Sequence, residues 1–183
     1  DKIILKYGEN PNQKSTFYQD KKIKSIFDAK IQGREIGYNN VVDLDAGLNC
    51  INEFNEPTCV IIKHNNPCAV ASGKTIYDAY KYALASDLQS SFGGIIMLNR
   101  SVNIRLAKVM FKSFFEIIAA KNYDKNSLIL FEKKKKLILI KTDKLLMSTK
   151  KEIKSVIGGQ LIQEKNIQKI KKGNLKCVSF TKT

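Results

Sequence analysis

Short unbroken apolar runs alternate along this chain with stretches in which apolar residues recur every three or four positions. Val60-Ile61-Ile62 is the first such run. Gly94-Ile95-Ile96-Met97-Leu98, Glu116-Ile117-Ile118-Ala119 and Leu137-Ile138-Leu139-Ile140 follow it. Strands buried on both faces read in this continuous way. Between the runs lie helical patterns. Asp43 is placed to cap a helix carrying Leu44, Leu48, Ile51 and Phe54, with Pro57 closing it. Thr75 and Asp78 form a capping-box pair ahead of Ile76, Tyr80, Ala83 and Leu84. Ile104, Ala107, Phe111 and Phe114 mark a third helix, and Asp124 opens a fourth. Four strand–helix alternations predict an α/β fold with a central, mainly parallel sheet flanked by helices and joined by right-handed crossovers.

The ends differ from this core. Residues 1–58 read as a loop-rich segment with one helix, punctuated by turn chemistry at 7–13 and 33–40. Residues 59–145 form the α/β core. In 146–183, apolar and polar residues alternate around Gly158-Gly159, predicting a bent strand or hairpin, and a lysine-rich coil follows from Lys171. No apolar stretch approaches the roughly 20 residues that span a bilayer. The chain opens on Asp1-Lys2-Ile3, without the apolar core of a signal peptide, which predicts a piece of a larger cytoplasmic polypeptide.

The net charge of +15 makes a polyanionic partner the first hypothesis from composition. The lysines are spread along the chain, however, and no RNP-like aromatic motif or zinc finger accompanies them. A basic nucleic-acid-binding module is therefore the competing reading rather than the leading one. Lys133 to Lys136 reads as the solvated end of a helix. Cys50, Cys59, Cys68 and Cys177 lack disulfide-scaffold or C-x-x-C spacing and read as reduced thiols.

Candidate chemistry concentrates where the first apolar run stops, at Lys63-His64-Asn65-Asn66-Pro67-Cys68. His64, the chain's lone histidine, can trade protons near neutral pH, and Lys63 supplies a fixed positive charge. The alternative is a strand fraying into a polar turn. A zinc deaminase centre cannot be built here, since Asn66 stands where its Glu should be and Ala71 where its second Cys should be. Only the Gly-Lys-Thr tail of a P-loop is present, at Gly73-Lys74-Thr75, and no G-x-S-x-G elbow exists. Phe92-Gly93-Gly94 is either a plain glycine turn or bare backbone open to a flat ligand.

Five motifs in order resemble one family: K-Y-G-E-N-P-N-Q at 6–13, G-R-E-I-G-Y-N-N-V-V-D-L-D-A at 33–46, K-H-N-N-P-C at 63–68, S-S-F-G-G at 90–94 and V-I-G-G-Q-L-I-Q at 156–163. That family is the AICAR transformylase domain of the bifunctional purine biosynthesis protein, joined in most members to an IMP cyclohydrolase domain. The resemblance implies formyl transfer from 10-formyltetrahydrofolate, as cosubstrate, to the 5-amino group of AICAR, with no metal and no tightly bound cofactor. It implies His64 as proton acceptor and Lys63 as transition-state stabiliser. Lys6, Tyr7, Gly93 and Glu116 align with AICAR contacts, and Asn12, Asn66 and Phe92 are secondary candidates. Lys6 stands where the family has arginine, keeping the charge but losing the bidentate fork, and Asn12 replaces a histidine. The resemblance further implies a cytidine-deaminase-like lobe without the zinc site, a second lobe and a cyclohydrolase domain beyond this chain, and a homodimer with shared active sites. On that basis the 183 residues alone are expected to turn over little, and a non-catalytic truncated relative is a third reading.

Overall fold

The computed structural model describes residues 1–145, 151–166, 173 and 176. Its first elements are β1 (Lys2–Leu5), β2 (Ser15–Tyr18), β3 (Lys30–Gln32), α1 (Tyr38–Ile51), β4 (Thr58–Lys63) and β5 (Asn66–Ser72). Next come α2 (Ile76–Ser86), α3 (Leu88–Ser91), β6 (Ile95–Leu98), α4 (Ile104–Met110), β7 (Ile117–Ala120), α5 (Lys125–Phe131) and β8 (Ile138–Lys141). A separate unit holds β9 (Lys151–Val156) and β10 (Gly159–Glu164).

Six strands form one sheet in the order β3-β8-β7-β6-β4-β5. Each apolar run divides its side chains between the two faces. Cys59 and Ile61 of β4 join one core cluster, whereas Val60 and Ile62 join the other. Helices α2, α4 and α5 cover the first face through residues such as Tyr80, Leu106 and Phe131. Helix α1 covers the second through Leu44 and Ile51. It sits close because Gly47 has no side chain: a Cβ there would lie 2.6 Å from Met97 Cγ and 3.1 Å from Ile62 Cγ1.

Several expectations need correction. The sheet is mixed rather than mainly parallel: β6–β7 and β7–β8 pair parallel, but β4 pairs antiparallel with both β5 and β6, and β3 with β8. Residues 66–72, for which no strand is predicted, form one and make a hairpin with β4. Asp43 does not cap α1; the cap is Gly37, whose amide is bonded by the Asn40 side chain. Phe114, placed on the third helix by its spacing, lies beyond α4 and is 53% exposed. Lys134 is more than a solvated helix end. Its ammonium donates to Ser113 O at 2.7 Å and lies 4.8 Å from the Phe111 ring centroid, and burial pulls its pKa down.

The Thr75–Asp78 capping box forms as expected, as does the Asp124 cap of α5. Asp124 also ties two helices together, accepting from Ser127 N at 2.6 Å and Ile104 N at 2.9 Å. Burial pushes its carboxyl upward, but the Ser127 and Ile104 donors prevail and hold it below the ordinary carboxylate value. Its stabilising contribution is therefore complete above the unfolded carboxylate range and is lost as pH falls through the lower folded value. We expect Asp124→Ala to cost about 1–2 kcal/mol at neutral pH. The deficit relative to the parent should shrink on acidification below about pH 4. Urea titrations at several pH values read this directly, and a deficit independent of pH contradicts it.

The β9–β10 hairpin turns through Ile157-Gly158, with Gly158 at φ +80° and Ile153 opposite Ile162. The expected lysine-rich coil from Lys171 and the thiol Cys177 lie largely outside the described residues. No helix among the described residues is long and apolar enough to cross a membrane.

Candidate active site

Strand direction gathers the site. Because β4 runs antiparallel to β6, with Ile62 opposite Ile95, the carboxyl end of β4 meets the amino end of β6. Parallel pairing of Ile95 with Ile117 then brings the start of β7 alongside. Lys63, Gly93-Gly94 and Glu116 thus converge although up to 53 positions separate them (116 − 63). The cleft thus lies beyond the carboxyl end of β4 but at the amino ends of β6 and β7.

These residues line a cleft of about 680 Å³ with Tyr7, Arg34, Asn40, Asp43, His64 and their neighbours. His64 occupies a two-residue hairpin turn with Asn65, at φ +54° and +63°. Both central residues with positive φ mark a type I′ turn, whose twist suits the flanking strands. The left-handed conformation costs on the order of 1–2 kcal/mol at His64, whereas Asn65 is a residue that tolerates it, so the surroundings must hold the turn. They do so through the peptide joining the two residues. Its N–H, on Asn65, donates to Asp43 Oδ1 at 2.6 Å, and its carbonyl, on His64, accepts from Asn66 Nδ2 at 3.0 Å. Burial pushes the Asp43 carboxyl upward, while the Asn65 amide and the facing His64 pull it down and Glu116 adds to the upward push.

Lys63 donates to Phe92 O at 3.2 Å, which aims its ammonium along the glycine turn. That turn is fixed by backbone: Gly93 N donates to Phe114 O at 3.0 Å and Glu116 N to Gly94 O at 3.2 Å. Gly93 has φ +75°, a conformation that favours glycine. Gly94 is packed so closely that a Cβ would meet Ile62 O and Ser91 O at 3.2 Å. Glu116 is held by one oxygen. Arg34 Nη2 reaches its Oε2 at 2.5 Å and Asn40 Nδ2 donates to the same atom at 3.2 Å. The cleft therefore carries ammonium, imidazole and guanidinium groups together with the carboxylates of Glu9, Asp43 and Glu116.

Of the residues singled out from sequence, Lys63, His64, Tyr7, Gly93 and Glu116 line this cleft. Lys6, Asn12, Asn66 and Phe92 do not. Lys6 is exposed with its ammonium 5.9 Å from the Tyr7 ring centroid. Phe92, next to the cleft-lining Gly93, packs in a tilted arrangement against Phe114, ring centroids 5.3 Å apart. Arg34, Asn40 and Asp43 were not singled out as site residues. The signal available was their density of polar side chains in 33–46. Cys68 does not line the cleft; burial pushes its thiol pKa up, and Sγ donates to Ile61 O at 3.5 Å. Among the described residues no group of three His, Cys, Asp or Glu side chains is arranged to hold a metal.

A sheet buried on both faces, with the ends of β4, β6 and β7 opening into a charged cleft, defines an α/β domain. Residues 1–183 match the model of the AICARFT/IMPCHase bienzyme family, and the chain belongs to that family. It is 44% identical over 174 residues to the bifunctional purine biosynthesis protein PurH of Caldicellulosiruptor saccharolyticus, covering 88% of this chain and 33% of that protein. The PurH protein of Staphylococcus epidermidis is 37% identical over 183 residues, 99% of this chain and 37% of its own length. That of Limosilactobacillus reuteri is 40% identical over 97% of this chain and 36% of its own. The chain thus spans about a third of the length of these relatives.

Proposed function

We propose that this chain forms part of the formyl-transfer site of a bifunctional purine biosynthesis enzyme, acting on AICAR with 10-formyltetrahydrofolate as cosubstrate. The observation that carries the reading is the convergence of Lys63, His64, Gly93 and Glu116 on one cleft. In the transfer, a bond forms between the AICAR 5-amino nitrogen and the formyl carbon, and the bond from that carbon to the folate nitrogen breaks. The arylamine is weakly basic and must lose a proton as it attacks; His64 accepts it, and a proton is delivered to the folate nitrogen as that group departs, leaving tetrahydrofolate. Negative charge builds on the formyl oxygen, and the Lys63 ammonium stabilises it. Tyr7, the Gly93 backbone and Glu116 hold the AICAR nucleotide, with Lys6 supplying charge nearby. Glu116 suits such a role because Arg34 and Asn40 both engage Oε2, leaving Oε1 to accept from a ligand.

On this reading the domain is one cytidine-deaminase-like lobe without the zinc site. The second lobe, the cyclohydrolase domain and a second subunit complete the enzyme, which works in the cytoplasm. The test is a chimera in which this chain replaces the matching third of the Caldicellulosiruptor saccharolyticus relative. It is expected to formylate AICAR with 10-formyltetrahydrofolate, while the 183 residues alone turn over little. A correctly folded chimera that binds no AICAR overturns the reading.

A further inference from the structure

We infer that Asp43 is a positioning residue for His64, acting through the peptide bond that joins His64 to Asn65. Among the described residues, His64 and Asn65 are the non-glycine residues with positive φ, and they are adjacent. A turn of this kind at an exposed hairpin tip does not hold one orientation by packing. The peptide between the two residues is instead gripped at both ends, by Asp43 Oδ1 on its N–H and Asn66 Nδ2 on its carbonyl. Asn66 belongs to the same hairpin and moves with it. Asp43 belongs to α1 and is the grip that ties the tip to another element.

That element is rigid where it matters. Leu44, the next residue, is fully buried in the core between α1 and the sheet, and Gly47 one turn on brings the helix against Met97 and Ile62. Ile62 lies two residues before His64 on β4. The helix and strand are therefore fixed to each other, and Asp43 closes the loop between them at the tip. A group that must meet a substrate proton needs its own rotamer and backbone locked by supporting contacts. Asp43 provides the backbone part of that lock, through the Asn65 amide, without itself taking the proton. The kinetic consequence rests on His64 being the proton acceptor; the geometric one does not.

Two measurements separate these. The 183-residue chain contains one histidine, so a tag-free sample gives a single set of imidazole signals by NMR. In Asp43→Ala the Asn65 amide proton is expected to move upfield and the imidazole signals to shift or broaden. Asp43→Asn, which keeps an acceptor oxygen, should lie between; it also serves if the alanine variant unfolds. In the chimera, Asp43→Ala should lower kcat by about 10–10²-fold with KM little changed, and Asp43→Asn should restore much of the loss. Unmoved Asn65 and His64 signals overturn the inference whatever the kinetics, as does an effect confined to KM. If the signals move but His64→Ala retains full turnover, the anchoring stands and the proton-acceptor reading falls.

Discussion

His64→Ala is expected to slow formyl transfer by the chimera by about 10²–10⁴-fold, the usual contribution of a general base, while AICAR binding changes little. The methyl group cannot take the proton lost by the attacking amine, which then passes to solvent or to a less well placed acceptor. Alanine also sits poorly at φ +54°, so a second variant is needed to separate chemistry from turn conformation. Asparagine tolerates the left-handed region and cannot serve as a base near neutral pH. Equal losses in His64→Ala and His64→Asn assign the effect to the missing imidazole, and partial rescue by added imidazole would strengthen that assignment. Loss in alanine alone assigns it to the turn. Rates within a few-fold of the parent in both variants remove His64 from the mechanism. Lys63→Met should also slow the chemical step, because its ammonium faces the cleft beside the fixed Phe92 carbonyl. The base survives in that variant, so the dependence of its rate on added imidazole should be weak.

What was legible in the sequence follows from what sets each feature. Burial on both faces writes itself as unbroken apolar residues, so β4, β6, β7 and β8 were visible as runs, and caps such as Thr75 and Asp124 act within three residues of themselves. Strand direction has no such local record. Nothing in Val60-Ile61-Ile62 says that its neighbour Ile95-Ile96-Met97 runs the opposite way. The β4–β5 hairpin was hidden for a related reason: its two-residue turn uses His64 and Asn65 instead of the usual Asn-Gly, and Pro67 argues against a strand. Pro67 is tolerated because β5 lies at the edge of the sheet. At the site, Lys63 and His64 stood out by residue type and position. Arg34, Asn40 and Asp43 did not, because each acts on a partner 82, 76 and 22 positions away, respectively. Such contacts are made by register and helix placement, which no short window contains.

Gly33→Ala should be the most damaging small substitution in the scaffold, costing about 2–5 kcal/mol from backbone strain and overpacking together. Gly33 has φ +102°, and an added Cβ would collide with Leu137 O and lie 2.5 Å from Ile138 Cα. Both obstacles are backbone, so no side chain can swing aside; β3 or β8 must move. Strand β3 is the one free to do so, since it is an edge strand already irregular between Lys30 and Gln32. Its departure would break the Gln32 amide's bonds to Phe131 O at 3.0 Å and Leu137 O at 3.3 Å. It would also carry Arg34 away from Glu116. The variant should therefore unfold at lower urea concentration with little change in slope and bind AICAR more weakly. Two controls divide the effect. Gly93→Ala shares the positive φ, but its new carbon meets only the Phe114 ring at 3.6 Å, so it should lose about 1–2 kcal/mol from strain alone. Arg34→Met removes the guanidinium while leaving β3 seated, so stability should hold and binding should fall. If Gly33→Ala is no less stable than Gly93→Ala, β3 is not pinned to β8 at this point and the route by which Arg34 reaches the cleft must be redrawn.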